Sequence, residues 1–257
     1  MANADRVPRA NRYFVPGKFY HLTHRCHDRR FLFKFVRDRN QYRQLLWSSL
    51  REFPVTVLAY CITSNHTHVL ARSESDGAIS QWMQSVEGEF AQSYNRRKGR
   101  RGAFWSDRYH CTMIEEGPHL WNAMVYIDLN MVRAGVVSHP AQWRWCSYSE
   151  WFGSRRRYGV VDCNESLRVL GAVSLQEFRA NYEALIQARL AKDSMAREPH
   201  WTESIAVGSR AFVESIAKGL THRQQLDYAP VGESVWVLRE DPALPAWDSS
   251  LEARMTG

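Results

Sequence analysis

Two imidazoles stand two residues apart in the stretch Ile62-Thr63-Ser64-Asn65-His66-Thr67-His68-Val69. Side chains alternate faces along an extended segment, so His66 and His68 leave one strand on the same side. Two neutral imidazole nitrogens presented together make the beginning of a divalent-metal site. Ten histidines in 257 residues give roughly 0.4 such triplets by chance, so the pair gains meaning only from its context. A second chemical grouping lies further on. At 100° per residue, His119, Asn122, Tyr126, Asn130 and Arg133 form a polar stripe about 120° from the apolar stripe of Leu120, Met124, Ile127, Met131 and Ala134. Tyr126 is the tyrosine with a side-chain amide one turn on and a cation at i+7, and it is expected beside the core rather than in it.

Those residues need elements to hold them. Phe19 to Cys26 alternates as a first strand, and Asp38 to Phe53 carries Tyr42, Leu45, Leu46, Leu50 and Phe53 at helical spacing before Pro54. Val55 to Ile62 and His66 to Arg72 read as an antiparallel hairpin about Ser64-Asn65. A second helix opens after Gly77 with Ile79, Met83, Val86, Phe90 and Tyr94 in one stripe, and Tyr109 to Glu115 is a fourth strand. Gly117-Pro118 starts the helix that carries Tyr126, and Gly135 ends it. The order strand, helix, strand, strand, helix, strand, helix predicts an α+β, ferredoxin-like split βαβ antiparallel sheet with helices on one face. That domain spans residues 1–150. Residues 151–257 form a mainly helical C-terminal extension of unassigned role, with helices expected at 165–170, 174–192 and 209–219 and then a polar tail. Trp143, Trp145 and Trp151 are expected to pack against the first domain.

Charge separates the two parts. Residues 1–150 hold 21 Lys and Arg against 13 Asp and Glu, and the remainder hold 13 against 14, so all of the +7 excess lies in the first part. A basic half suits a polyanion, because counterions released from phosphates supply affinity. Arg6, Arg9 and Arg12 make a basic arm, Arg155-Arg156-Arg157 a late basic patch, and Arg96, Arg97, Lys98, Arg100 and Arg101 a dense run. Phe104, Trp105, Arg108 and Tyr109 follow that run, and cations interleaved with aromatics suit single-stranded nucleic acid. No apolar run approaches the ~20 residues that cross a bilayer, and the N-terminus leads into no secretory h-region. Five scattered cysteines without a Cys-x-x-Cys pair argue against a disulfide framework and suit a reducing cytoplasm.

Three segments resemble the single-tyrosine HUH transposases, specifically the REP-associated tyrosine transposases related to small insertion-sequence transposases. Residues 24–33 resemble the family's first strand and turn, and Asn65-His66-Thr67-His68 its Asn-His-U-His motif, with Thr67 in the apolar position. Tyr126-Ile-Asp-Leu-Asn130-Met-Val-Arg133-Ala-Gly135 resembles its Tyr-Ile-x-x-Asn-Pro-x-Arg-Ala-Gly helix, with Met131 in place of proline. Losing that proline should straighten the helix end. The likeness covers about residues 15–150 and implies DNA strand cleavage by transesterification. Tyr126 would be the nucleophile, giving a 5′-phosphotyrosine and a free 3′-OH. His66, His68 and the Asn130 amide oxygen would hold Mg2+ or Mn2+. Arg96, Arg97, Lys98, Arg100, Arg101, Trp105, Arg108 and Arg133 would bind single-stranded or hairpin DNA. The implied setting is the bacterial cytoplasm, at the nucleoid, with no membrane partner. Monomer and homodimer stay equally open. Two rivals use the same basic surface: a non-catalytic nucleic-acid-binding regulator, and a metal-dependent hydrolase in which water attacks.

Overall fold

The computed structural model describes residues 14–153, 158–192, 195–220 and 226–240. The basic arm of the first dozen residues, the run Arg155–Arg157 and the end of the polar tail lie outside them. Seven strands form one sheet in the order β2-β3-β1-β4-β5-β7-β6. Its first half is the split βαβ expected from the sequence: β1 (Phe19–Arg25), α1 (Val36–Ser49), β2 (Thr56–Ile62), β3 (His66–Arg72), α2 (Ala78–Lys98) and β4 (His110–Ile114). β1 lies antiparallel between β3 and β4. Both faces of these strands are buried, which is why β2 reads as a nearly continuous apolar run.

α1 and α2 cover one face. Ile79, Met83, Val86, Phe90 and Tyr94, the stripe read from α2, are all buried, and the rings of Tyr42 and Phe90 meet edge to face at 5.2 Å. The helix layer on one face describes these two helices. The next, α3 (Pro118–Asp128), corrects it by lying against the opposite face, where Tyr126 reaches His68 of β3. α3 does not continue smoothly to Gly135. It is interrupted at Leu129 (φ −79°, ψ 3°) and resumes as the single turn α4 (Asn130–Arg133). The expected straightening by Met131 is therefore overturned. The break is held by its neighbours, since Asn130 is bonded to His68 on one side and Met131 is buried in the core on the other.

α5 (Tyr148–Phe152) follows the tryptophan-rich loop. Trp143 donates to the Ile62 carbonyl and Trp145 to Asn40, so these rings clamp β2 to α1 as expected. The extension supplies α6 (Cys163–Val169), α7 (Leu175–Leu190) and α9 (Arg210–Gly219), close to the expected helices, and a short α8 (His200–Glu203) that was not expected. It also supplies strands the sequence reading lacked. β5 (Ala206–Gly208) pairs parallel with β4, and the hairpin β6 (Leu226–Pro230) and β7 (Trp236–Glu240) joins it antiparallel. The sheet thus runs without a break across residue 150. Buried Asp128 closes the seam, accepting hydrogen bonds from Ser147 at 2.6 Å and from Tyr182 of α7 at 2.8 Å. Among the described residues no helix is long and apolar enough to cross a membrane.

Candidate active site

β3 presents His66 and His68 on one face, with ring centroids 4.8 Å apart. The register of β1 against β3 places Thr23 beside His68 and Arg25 beside His66, so one face of β1 contributes His21, Thr23 and Arg25 to the same place. α3 and α4 complete it from above. Asn130 lies 2.9 Å from His68 Nε2, and the Tyr126 ring lies 6.2 Å from the His68 ring. The result is a cleft of about 380 Å3 lined by His66, His68, Tyr126, Asn130 and Arg133.

The hydrogen bonds fix which nitrogens are free. Burial lowers the His21 pKa to about 3, so the ring is neutral and carries one N–H. Its Nδ1 faces the Trp201 carbonyl at 2.7 Å, and a carbonyl can only accept, so the hydrogen sits on Nδ1. Its Nε2 therefore accepts from His68 Nδ1 at 2.8 Å. His68, held well below its ordinary value chiefly by burial and then by His66 and His21, has its Nε2 lone pair turned towards Asn130. His66 follows the same logic. Asn65 donates to the Arg29 carbonyl through Nδ2, which turns its Oδ1 to His66 Nδ1 at 2.7 Å and leaves Nε2 as the available nitrogen. Burial and the Arg25, Arg133 and Arg197 cations lower the His66 pKa to about 4. Two lone pairs on neutral, pre-oriented imidazoles are what a divalent ion requires.

Among the described residues no group of three or more His, Cys, Asp or Glu is placed to hold a metal ion by itself. The third protein donor of this set is the Asn130 amide, whose NH2 faces the His68 lone pair; half a turn about its last bond presents Oδ1 instead. The residues present thus fit a divalent ion. Tyr126 differs from expectation. It is 5% exposed, within the core rather than beside it. Trp201 of α8 packs against it with centroids 6.1 Å apart, and the Arg133 guanidinium stacks on its ring at 3.8 Å. The cover comes from the extension, which the helical periodicity of α3 cannot reveal.

Residues 15–130 match the family described as transposase, IS200-like. A Haemophilus influenzae protein named as a REP-associated tyrosine transposase is 26% identical over 149 residues, covering 53% of this chain and 83% of that protein. A solved REP-associated tyrosine transposase bound to a REP hairpin shares the fold at a TM-score of 0.50 and 19% identity, over 60% of this chain and 90% of that one. Over this part the chain is similar to the IS200-like and REP-associated tyrosine transposases. A Deinococcus radiodurans protein described as a transposase aligns at a TM-score of 0.32 and 15% identity.

The part shared with the IS200-like family ends at Asn130, yet the cleft does not. Arg133 follows it, and Arg197 and Thr202 of the extension line the same space. Of the eight residues expected to bind DNA, Arg133 is the one in the cleft. Arg97 instead pairs with the fully buried Asp38 at 2.5 Å. Arg100 bonds to Asn95 and to the Ala103 carbonyl, closing the turn after α2. Trp105 stacks on His24 at 4.2 Å and donates to the Glu87 carbonyl, so its faces and its N–H are engaged within the fold. Arg96, Lys98, Arg101 and Arg108 are exposed. His21, Thr23, Arg25 and Arg29 were not singled out from the sequence. The period-two alternation of β1 placed the first three on the face paired with His68 and His66, and would have found them.

Proposed function

We propose that this protein is a metal-dependent endonuclease and strand transferase acting on single-stranded or hairpin DNA through a 5′-phosphotyrosine on Tyr126. The observation that carries the reading is the convergence of His66, His68, Tyr126, Asn130 and Arg133 on one cleft rimmed by Arg25, Arg29 and Arg197. A regulator that only bound nucleic acid would have no use for two lone-pair imidazoles aimed beside a tyrosine. The hairpin held by the solved relative supports a hairpin here, and the IS200-like relationship supports cleavage.

A divalent ion, Mg2+ or Mn2+, bound by His66, His68 and the Asn130 amide oxygen would polarise a non-bridging phosphate oxygen, and two imidazoles make Mn2+ at least as good an occupant. The arginines do the rest of the charge work. Arg25, Arg29, Arg133 and Arg197 surround the phosphate position and offset charge that grows on the phosphoryl oxygens. The Tyr126 oxygen attacks phosphorus, the bond to the 3′ oxygen breaks, the phenolic proton leaves to solvent, and the departing 3′ oxygen takes a proton from solvent to become the 3′-OH. The new phosphotyrosine conserves the bond energy, so a second 3′-OH can reverse the step without a nucleotide cofactor. Work on genomic DNA would take place in the bacterial cytoplasm, at the nucleoid.

The test is a covalent one. Wild-type protein incubated with a single-stranded hairpin oligonucleotide and Mn2+ is expected to give an adduct on a denaturing gel. Cleavage products without any adduct would favour attack by water and overturn the tyrosine mechanism.

A further inference from the structure

The segment after β1 has an unusual surface. Asp28 and Arg29 both sit at φ +54°, a left-handed conformation that non-glycine residues rarely adopt and arginine least of the two. The turn is pinned on both sides. His27 N–H bonds to the Phe104 carbonyl, and the Arg29 carbonyl accepts from Asn65, next to His66. The pinned turn sets Arg29 at the rim of the cleft and then runs outward. Leu32 and Phe33 anchor the run in the core, with Phe33 N–H bonded to the Ser64 carbonyl. Between and after these anchors, Phe31 is 68% exposed, Phe35 51% and Val36 50%.

A patch of exposed apolar rings beside a cleft calls for a partner, and its charge restricts the choice. Arg29, Arg30, Lys34 and Arg37 are exposed around the rings. The basic end of α2 meets them here, with Lys98 Nζ 4.3 Å from the centre of the Phe35 ring and Lys34 Nζ at 5.8 Å. The one acidic side chain of this turn, Asp28, is paired with His27 at 2.9 Å. The aromatic companions of the basic run are therefore Phe31 and Phe35 on the surface, in place of the engaged Trp105. Rings that offer a face, set among cations and joined to the phosphate cleft through Arg29, match unpaired nucleotides, whose bases stack while their phosphates are held. An apolar or acidic protein partner would leave either the cations or the rings unmatched.

We propose that Phe31 and Phe35, with Arg30, Lys34 and Lys98, form a stacking platform for the single-stranded DNA that leads away from the scissile phosphate. The inference rests on the reading of the cleft as a DNA-cleaving site, but it assigns this platform to the unpaired flank rather than to the hairpin stem. Both rings are exposed, so Phe31→Ala with Phe35→Ala leaves the anchors Leu32 and Phe33 in place. Fluorescence anisotropy would compare two probes at one salt concentration: a DNA hairpin with single-stranded tails, and the same hairpin blunt. The double variant is expected to bind the tailed hairpin about tenfold or more weakly. The blunt hairpin should bind as before, and the salt slope should stay unchanged because no phosphate contact is removed. Tyr or Trp at both positions should restore the affinity. Equal affinity of variant and wild type for the tailed hairpin, or equal losses on both probes, would overturn the platform. So would sedimentation showing that the variant only loses self-association while tailed binding persists. An adduct assay run alongside separates the two claims. Tail binding that depends on the rings without any adduct would sink cleavage alone, whereas an adduct with ring-independent tail binding would sink the platform alone.

Discussion

Two regions of this molecule carry its most reactive and most basic residues, and they use them differently. In the cleft, residues from β1, β3, α3 and the extension line a common space, and their internal bonds turn the Nε2 atoms of His66 and His68 to its centre, the latter against the Asn130 amide. At the end of α2, five cations crowd into residues 96–101, yet Arg97 and Arg100 are spent inside the fold on Asp38 and on the turn. Density of charge in a sequence says little about function until the internal acceptors are counted. The cleft has fewer cations per residue of chain, but they come from four separate places and face one point.

The contrast is broken most severely at Tyr126. Tyr126→Phe keeps the ring under Trp201 and Arg133 and removes only the oxygen. The variant should remain folded, bind hairpin DNA and form no adduct. An adduct in the Phe variant, or nucleotide mapped by mass spectrometry to Tyr94 or Tyr109, would dismantle the cleft as the reactive centre. Next in size is His68→Ala. It should abolish cleavage, abolish Mn2+ binding measured by titration calorimetry, and leave most DNA affinity, which backbone contacts dominate. Full activity in chelated protein would remove the metal assignment.

Asp128 tests the seam between the two parts. Burial, partly offset by the bonds from Ser147 and Tyr182, pushes its carboxyl from 3.8 up to about 6. The folded chain therefore holds this proton more tightly than the unfolded one. Stability from this group is full below about pH 4, declines as pH climbs towards 6, and is flat above. At 1.36 kcal/mol per unit, the decline amounts to about 3 kcal/mol. Urea unfolding of wild type and Asp128→Asn across pH 4–7 should give curves whose difference slopes only between 4 and 6. A constant difference would mean that Asp128 ionises normally.

How much of this was legible in the sequence follows from what imposes a pattern. The α2 stripe was readable because one-sided burial forces a period on the residues, and the β2–β3 hairpin because two extended runs flank the Ser64-Asn65 turn. β5 has three residues and β6 is largely exposed, so neither is long or buried enough to carry a period. Two short periodicities put His66 with His68 on one strand face and Tyr126 with Asn130 on one helix face, and the family resemblance implied that the two faces meet. The completion of the site by Trp201, Arg197 and Thr202 was not readable, since contacts between distant segments leave no local signature. The break at Leu129 was hidden for a related reason: the bond from Asn130 to His68 and the burial of Met131 hold it, where a proline would have announced it.

The smallest effects sharpen the comparison at the end of α2, where neighbouring arginines should behave in opposite ways. Arg97→Ala leaves Asp38 buried and unpaired, a change that costs about 3 kcal/mol of stability and would be seen in urea unfolding. Its effect on DNA affinity should be slight once the variant is held under folding conditions. Arg96 and Arg101 are exposed, so their loss should leave stability within about 0.5 kcal/mol. If they meet phosphates of a single strand, each removed contact flattens the slope of log affinity against log salt by about 0.7. Affinity itself should fall only a few-fold at moderate salt. Binding isotherms at four salt concentrations for Arg96→Ala with Arg101→Ala would decide this. An unchanged slope would make the whole run structural or solvated, and confine DNA contacts to the cleft and its rim. A flattened slope from Arg97→Ala, with stability intact, would reverse the division of labour drawn between the two arginines.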